Sequence, residues 1–348
     1  MLTEILTMFS IFLGIDISKE KVNLCVRSNG SIINESEVQN SESAITKELR
    51  RIIKLVCNGA PQQLLVCAEY TGMYIYPLAC ACKEMNVFLW IEDPTRIKYS
   101  FGVARGKNDK IDARRISEYA FRFQDKSTQY AIPEDIYMSL KSLLAEKALL
   151  QSDRKKYEAQ LSDQRRYMPK NDFDSKRGRL STIIACLKVQ IKEIDGMISE
   201  IISSNEKLQH QVELLTSIDG IGETIAINML SITNGFTRFQ SPRQFNCYAG
   251  LAPFSYTSGN SIHSRSRVSQ RANKSIKSLL HLAALCAATH MKESEFKSYY
   301  DRRIKEGKHP MCVLNIIRAK MISRMFAVIK KDQPYSKVLK YDNYLEIS

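Results

Sequence analysis

Two apolar, strand-like runs end on lone carboxylates: Ile11-Phe-Leu-Gly-Ile-Asp-Ile carries Asp16, and Leu64-Leu-Val-Cys-Ala leads straight into Glu69. A carboxylate at the rim of an apolar strand is expensive unless a cation or a donor compensates it. A third acidic context, Lys-Asn-Asp-Lys-Ile-Asp-Ala-Arg, sets Asp109 and Asp112 three residues apart, on one face of any helix that includes them. Four oxygen-bearing side chains of this kind suit a pair of Mg²⁺ ions, the equipment for cutting phosphodiester bonds.

The 348 residues carry 51 Lys and Arg against 37 Asp and Glu, a formal charge of +14. Such an excess points to a polyanionic partner, nucleic acid above all, with a merely basic soluble enzyme as the plainer alternative. Nine cysteines occur without a Cys-x-x-Cys pair, and Cys80-x-Cys82 is too tight for a usual zinc clip. Most lie in apolar runs, so reduced, buried cysteines of a cytoplasmic protein are expected. The apolar opening segment lacks a basic start and runs into the Asp16 strand, which argues against a cleaved signal peptide. Met8 then reads as the start, with residues 1–7 dispensable. No other run is long and apolar enough to span a bilayer, so no membrane partner is expected.

Residues 11–28 read as two strands, and Asn29-Gly30 as a hairpin turn into a third strand over Ile32 to Val38. A helix over 43–58, a buried strand at Leu64 to Ala68, a helix from Tyr74 to Met85 and a strand from Val87 to Ile91 follow. This order is that of an α/β ribonuclease H-like (RuvC-like) domain, expected over 8–130, with Asp109 and Asp112 on a helix over 108–124. A helical middle segment follows at 135–213. In it Leu180, Ile184, Leu187, Ile191, Ile194, Ile198, Ile201, Asn205, Leu208, Val212 and Leu215 alternate spacings of four and three. That heptad seam predicts a coiled coil that oligomerises the protein, with Asn205 fixing register; a hairpin folding back within one subunit is an equal alternative.

A mainly α domain is expected over 214–335, with a tail at 336–348. It opens with Ile218-Asp-Gly-Ile-Gly, a pattern that fits a helix-hairpin-helix presenting the backbone at Gly220 and Gly222 to a phosphate; a structural turn competes closely. Ser241-Pro-Arg-Gln244 is a capping box with Pro at the first helical position. No Asp or Glu occurs between Glu223 and Glu293, whereas Arg238, Arg243, Arg265, Arg267, Arg271, Lys274, Lys277 and Lys292 do. A surface normally mixes both signs, so this stretch reads as a nucleic-acid face. Within it, Ser258-Gly followed by close arginines is compatible with a nucleophile beside phosphate-holding groups, and equally with an ordinary loop. His263 reads as a surface histidine, and Ser275 to His290 as a packing helix.

Taken together, Gly14-Ile-Asp16-Ile-Ser-Lys, Ala68-Glu69-Tyr-Thr-Gly, Lys107-Asn-Asp109-Lys-Ile-Asp112-Ala-Arg, Ile218-Asp-Gly-Ile-Gly and Gly250-Leu-Ala-Pro followed by Ser258-Gly occur in the order of a known family. The chain resembles bacterial insertion-sequence transposases and pilin-gene invertases with an N-terminal RuvC-like DEDD domain and a C-terminal serine-bearing domain. The resemblance covers nearly the whole chain. It implies that Asp16, Glu69, Asp109 and Asp112 are Mg²⁺ ligands and catalytic acids. It places the nucleophilic serine at Ser258 and nucleic-acid contacts at Gly220, Gly222, Arg265, Arg267, Arg271, Lys274 and Lys277.

DNA ends and target are then the substrates. The expected partners are a structured guide RNA, as in relatives of the bridge-RNA type, and further copies in a dimer or tetramer. The expected location is the bacterial nucleoid. Two departures stand out: Asn260 follows Gly259 where relatives often carry a second glycine, and Asp93-Pro94 replaces a common Asn-Pro, so Asp93 is left out of the tetrad. The alternative is a Mg²⁺-dependent Holliday-junction-resolving nuclease in which water attacks and Ser258 is a loop residue. A non-catalytic nucleic-acid-binding assembly protein would require dispensable acids.

Overall fold

Strands β1 (Ile11–Ile17), β2 (Lys21–Ser28) and β3 (Ser31–Gln39) form an antiparallel meander, which β4 (Leu64–Glu69) and β5 (Phe88–Glu92) extend in parallel to the order β3-β2-β1-β4-β5. This is the ribonuclease H-like topology. Asn29 and Gly30 at the first hairpin both take positive φ, 49° and 79°, as a two-residue turn matched to strand twist requires. The computed structural model describes residues 9–101, 108–254, 257–258, 262–263, 267–268 and 272–336. It divides into two units, the first ending at Ile132 and the second starting at Pro133.

In the first unit the sheet is covered on both faces, which is why β1 and β4 read as nearly continuous apolar runs. Ile11, Leu13, Ile15 and Ile17 share one core with α1 (Glu42–Val56) and α2 (Tyr76–Glu84). Phe12, Leu65, Cys67 and Trp90 face the opposite way, onto Ile116, Tyr119 and Ala120 of α4 (Asp109–Arg122). The period-two alternation therefore decides which strand residues meet α4. The helix expected from Tyr74 starts as a 3₁₀ turn over Gly72–Ile75, with α2 following. A short helix after β5, α3 (Pro94–Ser100), has Asp93 as its N-cap, the carboxylate accepting the Thr95 N–H at 2.7 Å.

The second unit is helical. Helices α5 (Asp135–Asp163) and α6 (Lys170–Ser203) run antiparallel: Lys176 bonds Gln164 near their turn, and Lys147 pairs with Asp195 further along. Helices α7 (Glu206–Thr216), α8 (Glu223–Thr233), α9 (Pro242–Tyr248), α10 (Lys274–Thr289), α11 (Glu295–Lys305) and α12 (Pro310–Lys331) follow. They share one core with the end of α6, including Ile194, Ile198, Ile202, Leu215, Leu280, Ile317 and Met321. Between α9 and α10, β6 (Pro253–Phe254) pairs with β9 (Arg267–Val268), and β7 (Thr257–Ser258) with β8 (Ile262–His263), building an arm of two nested ladders.

The expected continuous seam is corrected. The helix stops at Ser203, and Asn205 is the N-cap of α7, its Oδ1 accepting the Leu208 N–H at 2.9 Å. An Asn able to cap outcompetes its place in a heptad because it satisfies a donor that the broken helix would leave open. Upstream, Leu180, Ile184, Ile191, Ile194 and Ile198 are buried within the chain. The cysteines also differ from expectation: Cys25, Cys57, Cys67 and Cys82 are buried, but Cys186, Cys247, Cys286 and Cys312 are exposed.

Candidate functional site

The site of the first unit follows from strand register. Ile15 pairs with Ala68, and Glu69 with Glu92, so Asp16, Glu69 and Glu92 form one lateral row at the ends of the three parallel strands β1, β4 and β5. Alternation turns all three toward the α4 face. Gly14 sets how close that helix comes: a Cβ there would lie 2.1 Å from Ser117 N and 2.4 Å from Ala113 O. Only glycine lets the α4 backbone rest on β1. Phe12 meets Phe121 with ring centroids 5.3 Å apart, and Gly14 meets Ser117 and Ala113, so the helix runs antiparallel to β1. Its first turn, with Asp109 and Asp112, thus arrives at the level of Asp16. Asn108 caps that turn, its Oδ1 accepting the Lys110 N–H at 3.1 Å.

Crowding shows in the protonation of Glu69. Burial first, and then the like charges of Asp16, Asp112 and Asp93, push its carboxyl up to about 7. Asp109 lies toward Lys21, whose ammonium it helps to keep protonated after the larger effect of Glu37. Arg115 holds Asp112 across one helical turn at 3.0 Å. Among the described residues no three His, Cys, Asp or Glu side chains converge closely enough to hold a metal ion. The donor set nonetheless fits a hard divalent cation: it is all oxygen, half-buried at Asp16, Glu69 and Asp112, and burdened with mutual repulsion that a cation would relieve. Ligation by Asp112 would take it from Arg115.

Glu92 sits in the same row but serves differently. It is 7 % exposed, accepts the Asp93 N–H at 2.7 Å and the Tyr119 hydroxyl at 3.3 Å, and lies 3.5 Å from Arg96. Tyr119 is pushed up to about 12, by burial first and then by Glu92. Glu92 therefore ties β5 to α3 and α4, and it is not among the charges that raise Glu69.

In the second unit, α7, a turn and α8 form the expected helical hairpin. Its two glycines part company. Gly220 has φ +82°, and a Cβ on it would lie 2.8 Å from Ala287 Cβ and 2.9 Å from Ala283 O, so its Cα packs closely on α10 while the residue stays half-exposed. Gly222 is the exposed N-cap of α8 with open space about it, which leaves the helix N-terminus accessible. Lys274 and Lys277 occupy the start of α10, whose first turn carries no acidic residue. Cations oppose the helix dipole there, and a bound anion would reverse the sign. Ser258 lies in the β7 ladder and Arg267 in β9. Arg265 and Arg271 lie outside the described residues.

Residues 212–301 match the family described as Transposase IS116/IS110/IS902 family, and residues 13–164 match a second model described as Transposase, of the DEDD IS110 type. The chain thus carries both transposase domains of the IS110/IS116 type. They make it an enzyme of DNA strand cleavage and rejoining. It is similar to the pilin gene-inverting proteins of Moraxella lacunata and Moraxella bovis, each 26% identical over 332 residues, covering 94% of this chain and 98% of the relative. The transposase of insertion sequence element IS1111A from Coxiella burnetii is 22% identical, covering 86% of this chain and 85% of its own. Among solved structures, T. thermophilus RuvC in complex with Holliday junction substrate covers 34% of this chain at 14% identity and a TM-score of 0.26. Among the described residues of this transposase, no helix is long and apolar enough to cross a membrane.

Sequence reasoning missed two determinants of the candidate site. Gly14 carried a signal, since a glycine amid β-branched residues in a strand marks a close backbone approach. Glu92 ends an apolar run just as Glu69 does, and that context would have found it.

Proposed function

We propose that this protein is the recombinase of an insertion element or an inverting segment, cutting and rejoining DNA with the acids of the first unit and Ser258 of the second. The observation that most supports it is the crowding of Glu69 by Asp16 and Asp112 at the strand ends of a ribonuclease H-like sheet. A structural role gives no reason to gather repelling carboxylates; a cation-dependent phosphoryl transfer does. Asp16, Glu69, Asp109 and Asp112 would hold Mg²⁺, which when bound supplies neutralisation and polarisation of phosphate oxygens.

In the chemical step the Ser258 oxygen bonds to phosphorus while the bond to the departing strand oxygen breaks, and the hydroxyl proton passes through solvent to that oxygen. The linkage keeps the phosphodiester free energy, so the reverse attack by another strand end rejoins DNA without an external energy source. Lys274, Lys277 and the open N-terminus of α8 at Gly222 would hold the backbone, with Arg265, Arg267 and Arg271 on the arm. A structured RNA choosing donor and target, and a homo-oligomer that brings DNA ends together, complete the proposal.

Adduct trapping tests it. Wild-type protein incubated with element-end DNA and Mg²⁺, then denatured, is expected to retain DNA covalently, and Ser258→Ala to lose the adduct. Cleavage by Ser258→Ala at the normal level without any adduct would instead establish a nuclease that uses water. Recombination by protein freed of RNA would remove the guide.

A further inference from the structure

Arg318, on α12, is 6 % exposed, and its one hydrogen bond among the described residues is a long one, Nε to the Leu314 carbonyl of its own helix at 3.4 Å. No carboxylate lies within ion-pair distance of it among the described residues. Two turns along, Arg324 is less buried and does have such a partner, Glu295. Burial lowers the proton affinity of Arg318, and no opposing charge offsets that. An arginine stays charged in proteins, so a guanidinium in this position keeps an uncompensated desolvation penalty. Its planar fork matches two oxygens of a phosphate.

Its place in the fold says which anion. Asn315, one turn earlier on α12, donates from Nδ2 to the Leu251 carbonyl at 2.9 Å. From the other side the Asn246 carbonyl accepts the Leu251 and Ala252 N–H groups at 2.9 and 3.3 Å. These contacts clamp the loop that opens into the arm carrying Ser258. The arm's far end is held by the same helix α9: Tyr248 accepts from Asn273 both at its carbonyl, 3.1 Å, and at its hydroxyl, 2.9 Å. Arg318 lies beyond both family-matched segments, 13–164 and 212–301.

We propose that Arg318 is a phosphate-binding residue, buried at the root of the Ser258 arm to hold one phosphodiester of the DNA strand on which that arm acts. The pairing of this site with Ser258 chemistry rests on the function proposed above; phosphate binding does not. A strand phosphate held at the base of the arm fixes the register of the backbone along it. The acid-free stretch from residue 224 to residue 292 leaves no competing carboxylate in the loop, arm or first turn of α10.

The test uses the full-length protein and two variants, Arg318→Met, which keeps length and packing without charge, and Arg318→Lys, which keeps charge without the fork. Affinity for a labelled DNA duplex is read across a salt series, and thermal unfolding is read with and without inorganic phosphate. Arg318→Met is expected to bind duplex about ten- to a hundredfold more weakly, with the salt slope reduced by about one. Its unfolding midpoint without ligand stays level or rises, because a buried unpaired charge has been removed, and stabilisation by phosphate is lost. Arg318→Lys recovers part of the affinity.

An unchanged duplex affinity, or a midpoint that falls along with it, would overturn the proposal and make Arg318 a structural residue. So would a loss confined to RNA, measured with a labelled RNA of the same sequence. If wild type forms no serine adduct while the affinity loss in Arg318→Met stands, the function proposed above fails and phosphate binding survives.

Discussion

Each of the two units gathers like charge in one place, carboxylates in the first and cations in the second. In the first, carboxylates from β1, β4 and the first turn of α4 crowd until Glu69 holds its proton to about 7. In the second, a long acid-free stretch of sequence runs into the start of α10, and Arg318 is buried with no acid in ion-pair distance among the described residues. Elsewhere the chain pairs its charges readily, as where Arg114 grips both Glu35 oxygens at 2.6 and 2.7 Å. The crowding of like charge is therefore local. Like charge gathered in one place is the setting that an outside ion or polyanion would answer.

The comparison breaks first, and most severely, at the acids. Glu69→Gln and Asp112→Asn are each expected to lower strand cleavage on element-end DNA at least about a hundredfold while leaving duplex affinity in place. A variant that loses affinity and keeps cleavage would reverse the roles of the two units. Next comes Gly14→Ala, which strikes the packing that carries the acids. The clash is with α4 backbone, so a loss of about 3 kcal/mol or more is expected in chemical unfolding, together with activity.

A pH series sharpens the electrostatic contrast. The folded Glu69 carboxyl titrates near 7, above its unfolded range, so its contribution to stability is full below the unfolded value and is lost as pH rises through about 7. Without divalent cations the unfolding midpoint of the full chain should fall across that window, and in Glu69→Gln the slope should flatten. Added Mg²⁺ should offset the fall in wild type only.

On the basic side, Lys274→Gln with Lys277→Gln is expected to weaken duplex binding several-fold and to reduce the salt slope by up to about two. The smallest effect is at the helix break. Asn205→Leu would stabilise a continuous heptad seam, whereas loss of the cap seen here costs about 1 kcal/mol in thermal unfolding.

Much of the first unit was legible because its signals are local. Period-two alternation marked the strands, Asn29-Gly30 marked the hairpin, and carboxylates ending apolar runs marked Asp16 and Glu69. The α10 and α9 helices announced themselves through apolar spacing and the Ser241 cap, whose Oγ accepts the Gln244 N–H at 3.4 Å. Asn205 misled because one residue type both interrupts a seam and caps a helix, and spacing alone does not distinguish the two. Gly220 is ambiguous in sequence for a similar reason: a glycine needed for positive φ and close packing on α10 looks the same as one exposing its backbone to phosphate.

The sequence by itself determined the strands, their faces and the chemical character of each half, since alternation, turn residues and charge content act over a few residues. Tertiary structure alone decided which charges are compensated. Glu92 is satisfied by Tyr119 and a backbone N–H, Glu69 is crowded by its own kind, and Arg318 is buried without an acid among the described residues, although all three are simply charged residues in apolar settings. Compensation depends on what distant segments bring within a few ångströms in a medium that screens poorly, and that is a property of packing.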